Sequence, residues 1–284
     1  VGISTTGSPV VAGGETATGV ADLLEWSFLE PVIIGAGALV PVTVAVHYAN
    51  EYADVETDAL TDRTPFSGGS GALVETGLPR SFLGTALVVA CVVSIGVLVL
   101  IAVTDVLSTA AVGLLAAMFL VGIAYSLQPV ALVRRGIGEV ANMCLGGLVL
   151  PVYGVAVVAT PTGAAMLAVV PFTLLVGCNL LAVHWPDRNA DAAVGKRTLA
   201  VRWSPAQLRL AYLSLIVAAT FATVGLWNIG ILPMPVALAH LAPVPFLIWG
   251  WTTLTRQESP LPAVAAMVVL AVVSTPAWWW VGLA

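Results

Sequence analysis

The chain has 284 residues, of which 59% are hydrophobic and only 9% charged, with a formal charge of −5. A water-soluble domain carries about 25% charged residues, so a globule with a charged skin is excluded, as are a disordered chain and a disulfide scaffold. Cys91, Cys144 and Cys178 stand singly in apolar runs without CxxC spacing and read as small core residues. With a mean hydropathy of +1.01, what remains is a polytopic membrane protein.

In chain order, residues 1–26 come first, rich in Gly, Ser, Thr and Ala, with no basic n-region and too polar to span. They are expected to form a disordered arm ahead of a transmembrane domain over 27–284. Eight apolar runs approach or exceed the roughly 20 residues that a crossing needs. They are 28–50, 81–104, 106–126, 136–158, 161–185, 207–230, 231–252 and 262–284. Short turns at Asp105, Pro161 and Pro233 make the runs they join antiparallel neighbours. The expected fold is an all-α bundle of eight spans, in two pseudo-repeated four-helix halves around a central cavity.

All ten basic residues fall in four connections: Arg63 and Arg80; Arg134 and Arg135; Arg188, Lys196, Arg197, Arg202 and Arg209; and Arg256. Eight spans put these four connections on one face. The opposite connections carry no Lys or Arg, so the basic face is expected to be cytoplasmic and both termini outside.

Almost half of the charged residues lie in two windows on that face. The first runs from Asn50 and Glu51 through Asp54, Glu56 and Asp58 to Asp62 and Arg63. The second runs from Asp187 and Arg188 through Asp191 to Lys196, Arg197 and Thr198. Each follows the end of a span, so both are expected to begin on helical extensions. A spacing of four puts Asn50, Asp54 and Asp58 on one helix face, and Asp187 with Asp191 on another. Like charges at that spacing repel, and a carboxylate near the membrane core costs about 2.5–3.5 kcal/mol on insertion scales. Two such clusters need a compensating cation. Mg²⁺ takes one or two carboxylates plus phosphate oxygens, so facing clusters would bind a diphosphate through bridging Mg²⁺. Arg63, Lys196 and Arg197 would complete the neutralisation. The plainer reading, hydrated loop charges, suits one isolated DxxxD better than two clusters on one face. The windows also resemble each other at an interval of four spans, a parallel duplication unlike the inverted repeats of transporters.

With these residues the sequence resembles the UbiA superfamily of membrane prenyltransferases. The family's NDxxDxxxD motif is matched by Asn50, Asp54 and Asp58, with Glu51 at its second position. Its DxxxD motif with a following Gly-Lys-Arg-Thr-Leu run is matched by Asp187, Asp191 and residues 195–199. Tyr125-Ser126-x-x-Pro129, leading to Arg135-Gly136-x-Gly138-Glu139, is similar to a loop of the menaquinone-branch members, which prenylate dihydroxynaphthoate. The family plan has nine helices, with the first motif after the second. Here that motif follows the first apolar run and the chain begins at Val1, so an upstream helix is expected to be missing from the sequence.

The resemblance implies transfer of an isoprenyl chain from an allylic polyprenyl diphosphate to an aromatic acceptor at the cell membrane. Mg²⁺ would be held by Asn50, Asp54, Asp58, Asp187 and Asp191, with the four aspartates catalytic. Asn50, Arg63, Arg134, Lys196 and Arg197 would bind diphosphate, though Arg134 and Arg135 equally suit topology signals. Tyr125, Tyr52 and Trp185 are candidates for stabilising the allylic cation through their ring faces, Tyr125 foremost. His184 and His47 offer proton acceptors but are more simply hydrogen-bonded interfacial residues, and His240 is packing. Residues 67–71, Ser-Gly-Gly-Ser-Gly, suit a phosphate nest or equally a lid or turn. Trp278, Trp279 and Trp280 read as an interfacial belt, and Gly146-Gly147 and Gly35-x-Gly37 as close helix contacts. No nucleic-acid partner is expected. A cation-coupled transporter using the aspartates is the alternative from another class, and a non-naphthoate acceptor the alternative within the family. A CDP-alcohol phosphotransferase lacks support, because its DGxxAR segment is absent.

Overall fold

A computed structural model describes residues 2–3, 9–10, 26–61, 69–70 and 72–283. Among them, eight helices are long and apolar enough to cross a bilayer, as expected. These are α1 (Trp26–Asp58), α2 (Arg80–Thr104), α3 (Thr109–Ser126), α4 (Gly138–Val158), α5 (Gly163–Ala193), α6 (Pro205–Asn228), α7 (Met234–Thr253) and α8 (Leu261–Leu283). The arm expected over 1–26 falls mostly outside the described residues. Within it Gly2–Ile3 pairs antiparallel with Pro9–Val10.

The outward faces are apolar. On α2, Val88, Val92, Val99 and Val103 are all more than half exposed, which only lipid accommodates without cost. Its inward face, Leu83, Leu87, Ala90, Ser94 and Ile101, repeats at three- and four-residue steps and is buried. Lipid tails are as apolar as leucine, so close packing rather than water exclusion holds the helices together. Three buried clusters result, a small one around Leu226, Leu232 and Val236 and two larger ones that follow the expected halves. Val42, Ala45, Leu115, Phe119 and Tyr153 anchor the core of α1 to α4. Cys178, Leu208, Tyr212, Leu247 and Leu270 anchor that of α5 to α8. Cys178 is a buried core residue, as its isolation in the sequence suggested.

Glycines set the tightest approaches. A Cβ on Gly35 would come within 2.6 Å of Val157, one on Gly122 within 2.5 Å of Val46, and one on Gly147 within 2.6 Å of the Thr173 Cα. Gly37 and Gly146 face open space instead, so each expected pair supplies one contact rather than two. Around Gly147 the helix widens into a π turn over Leu145–Val149. Pro151 has no N–H to give the Gly147 carbonyl four residues back. Thr173 Oγ1 stands 2.8 Å from that oxygen, and 3.0 Å from the Val169 carbonyl, and so serves α4 from α5. This is the seam between the halves.

Helix length positions the site. The 33 residues of α1 span about 50 Å at about 1.5 Å per residue, against a hydrocarbon core of about 30 Å. Its last turns therefore project beyond the core, as do those of α5, and these turns carry the two acidic motifs. The expected helical extensions are present at both.

Candidate active site

The projecting ends of α1 and α5 meet across a cavity of about 200 Å³. From α1 it is lined by Asn50, Glu51, Asp54, Thr57 and Asp58, and from α5 by Val183, His184, Asp187 and Asp191. Tyr125 closes it from the end of α3, and Lys196 and Thr198 from the segment after α5. The four-residue spacing in each motif thus does bring both carboxylate pairs to one space.

Lys196 lies between the motifs. Its Nζ is 2.9 Å from Asp54 Oδ2 and 3.2 Å from Asp191 Oδ1, and the residue is buried. Burial alone pulls the ammonium down, but the charges and hydrogen bonds of Asp54 and Asp191 more than offset it and hold its pKa above the usual lysine value. Asn50 Nδ2 donates to Asp54 Oδ2 at 2.5 Å, and Thr198 Oγ1 to Asp191 Oδ2 at 3.4 Å. Backbone bonding fixes the lysine loop as well. Lys196 N–H donates to the Asp191 carbonyl at 2.9 Å, and Gly195 before it takes φ +78°, which suits only glycine comfortably.

Of the glycine-serine run, Gly69 and Ser70 are described, and both lie against the first motif. Gly69, at φ +65°, lies so close to Asp58 that a Cβ there would overlap the carboxylate. Ser70 donates to Glu51 from its N–H at 3.0 Å and its hydroxyl at 2.7 Å. Of the remaining sequence candidates, Arg63 lies outside the described residues. Arg134 is half-buried and does not line the cavity; it donates to the Val194 carbonyl at 2.7 Å and so braces the lysine loop from outside. Arg197 is exposed and does not line the cavity. Among the proposed aromatics only Tyr125 lines it. Arg80 covers the Tyr52 ring at 4.4 Å and Arg188 the Trp185 ring at 3.8 Å, so both faces already carry a cation. His47 is exposed and off the cavity, while His240 is hydrogen-bonded to the Val236 carbonyl, consistent with packing.

Glu139 received no role from the sequence, yet it is the most connected residue of the third motif. Its Oε1 accepts the Leu199 N–H at 2.5 Å and lies 3.2 Å from His184 Nδ1. Its carboxylate therefore ties the start of α4 to α5 and to the Gly-Lys-Arg-Thr-Leu run. The signal in the sequence was an acidic residue at a span start, where a helix N-terminus favours it.

Among the described residues no three His, Cys, Asp or Glu side chains converge closely enough to enclose an ion alone. The donor set still fits Mg²⁺. It is all oxygen, in two pairs across a polar cavity, and Mg²⁺ binds through one or two carboxylates with substrate phosphate and water completing the shell.

Fold and cavity together define an integral membrane helical bundle with a carboxylate-lined site at one end. Residues 8–272 match the UbiA prenyltransferase family, and the chain belongs to that family. It is 31% identical over 258 residues to a 1,4-dihydroxy-2-naphthoate octaprenyltransferase of Mycobacterium leprae, covering 84% of this chain and 80% of that one. Its fold is similar to the apo structure of a UbiA homolog from Aeropyrum pernix K1, with a TM-score of 0.64 and 17% identity, covering 86% of this chain and 88% of the other.

Proposed function

We propose that this prenyltransferase joins an allylic polyprenyl diphosphate to an aromatic quinone precursor, 1,4-dihydroxy-2-naphthoate or a close analogue. The observation that carries the reading is the pairing of Asp54 and Asp58 with Asp187 and Asp191 across one cavity. The name of the mycobacterial relative supports the acceptor. Residues 27–284 form the transferase domain. By the distribution of Lys and Arg, the site faces the cytoplasm from the cell membrane.

Asn50, Asp54, Asp58, Asp187 and Asp191 would hold Mg²⁺, which when bound neutralises diphosphate and favours its departure. Lys196 presents a charge to the same headgroup while keeping Asp54 and Asp191 apart from each other. Arg63 would add its charge to the diphosphate, Arg197 reaches it only if its side chain swings in from the exposed surface, and Arg134 contributes by bracing the Lys196 loop. The face of Tyr125 stabilises positive charge on the allylic carbon. The apolar helix walls exclude water that would otherwise capture that carbon.

The test is a transfer assay in membranes containing the protein, with a panel of prenyl diphosphates and aromatic acceptors read by mass spectrometry. Prenylated naphthoate product should require Mg²⁺ and vanish in Asp54→Ala and Asp191→Ala. Turnover that survives either substitution, or excess chelator, would sink the reading.

A further inference from the structure

His184 is the one histidine on the cavity wall. It stands three residues before Asp187 on α5, about 4.5 Å deeper toward the membrane interior at about 1.5 Å per residue. A diphosphate held at the aspartates would extend its reacting carbon, and the ring that attacks it, toward that depth. Polar side chains so near the apolar interior call for a reason, and several gather here. Tyr125 is hydrogen-bonded to Asn142, and Asn142 follows Glu139 by one turn of α4. Glu139 Oε2 is buried with no hydrogen-bond partner among the described residues.

Resting on the prenyl-transfer reading above, we propose that His184 is the general base that takes the hydroxyl proton of the aromatic acceptor, with Glu139 as its positioning residue. The hydrogen bonding supports the direction of the proton. Oε1 of Glu139 receives the Leu199 N–H, which can only donate. The same oxygen therefore accepts from His184 Nδ1, at 3.2 Å. The ring proton then resides on Nδ1, and Nε2 keeps the lone pair that a base needs. The carboxylate also stabilises the imidazolium that forms.

The step balances without a further reagent. The acceptor O–H proton passes to Nε2, and its bonding pair becomes the C=O of a dienone. The ring carbon forms the new C–C bond to the allylic carbon, whose C–O bond breaks with its pair leaving on diphosphate. Rearomatisation follows when the carboxylate on the attacked carbon leaves as CO₂; its bonding pair returns through the ring to the carbonyl oxygen, which retakes the proton from Nε2.

Two measurements on the full chain in lipid nanodiscs test this. The first is ¹⁵N-histidine NMR, practicable with three histidines in the chain and with His184 assigned through His184→Gln. The expected state is the Nδ1–H tautomer. An Nε2–H tautomer overturns the proposal whatever the turnover is. The second is steady-state transfer from geranylgeranyl diphosphate to 1,4-dihydroxy-2-naphthoate. His184→Ala should lower kcat by about 10²–10⁴-fold, the range of a lost general base, with KM for the diphosphate unchanged and kcat partly restored by imidazole. Glu139→Gln should lower kcat by about ten-fold with the same KM, since it removes the charge but keeps an acceptor. Unchanged kcat in His184→Ala, or a loss that imidazole does not restore, overturns the role. A wild type that prenylates no acceptor instead defeats the prenyl-transfer reading, and this inference with it.

Discussion

Lys196 Nζ lies 2.9 Å from Asp54 Oδ2, joining the loop after α5 to the end of α1. The bond crosses between the two four-helix halves at the polar end of the bundle, as the Thr173 contact to Gly147 does within the apolar part. Removing the ammonium leaves Asp54 and the buried Asp191 facing each other. Lys196→Gln should therefore destabilise the protein by about 3–5 kcal/mol, the usual result of orphaning a buried partner. Added Mg²⁺ should raise the Tm of this variant more than that of the wild type. A Tm equal to wild type in thermal unfolding with and without Mg²⁺ would contradict both parts.

The same pair has a defined pH dependence. The pKa of Lys196 is higher folded than unfolded, so its contribution is complete below the unfolded lysine value of about 10.4. It is lost as pH rises through the folded value. The difference in stability between wild type and Lys196→Gln should thus be constant across neutral pH and shrink only in strong alkali. Chemical unfolding at a series of pH values measures this difference directly.

Tyr125 separates ring from hydroxyl. Tyr125→Phe should retain most activity, whereas Tyr125→Leu should lose about ten-fold, within the 0.5–2 kcal/mol range of a cation–π contact. Equal losses in kcat for the two variants would assign the role to the hydroxyl and its bond to Asn142 instead.

Neighbouring glycines should differ sharply. Gly147→Ala drives a methyl into the Thr173 backbone and should cost about 1–3 kcal/mol as an overpacked contact. Gly146→Ala meets nothing within 4 Å and should leave Tm unchanged. Thermal melts in one detergent distinguish them.

Gly69→Ala must both strain a positive φ and push against Asp58. Gly69 and Ser70 should lift from the first motif, raising KM for diphosphate while the melting temperature, set by the helices, stays near wild type. An unaltered KM would show that the segment does not take part in substrate capture.

Much of this was legible in the sequence, for a physical reason. A bilayer demands long uninterrupted apolar runs, so the eight spans stood out, and helical spacing put Asp54 with Asp58 and Asp187 with Asp191. The same spacing also separates His184 from Trp185. Adjacent helical residues diverge by about 100°, and Trp185 indeed turns away to meet Arg188. Contacts between distant segments were beyond reach. Glu139 meets Leu199 across 60 residues, and Lys196, expected to meet the diphosphate, sits against two aspartates. Spacing gives the face of a helix but not the neighbour that the face will find.

If the acidic motifs hold the diphosphate as proposed, the overlong α1 and α5 put the reaction at headgroup depth, where a water-loving diphosphate and an oil-loving tail can be met by one molecule. That depth is set by the surrounding lipid as much as by the protein. A thicker bilayer would draw the aspartate turns into hydrocarbon, and a thinner one would flood the reacting carbon with water. Acyl-chain length in the membrane should therefore tune how much prenylated product forms for each diphosphate consumed.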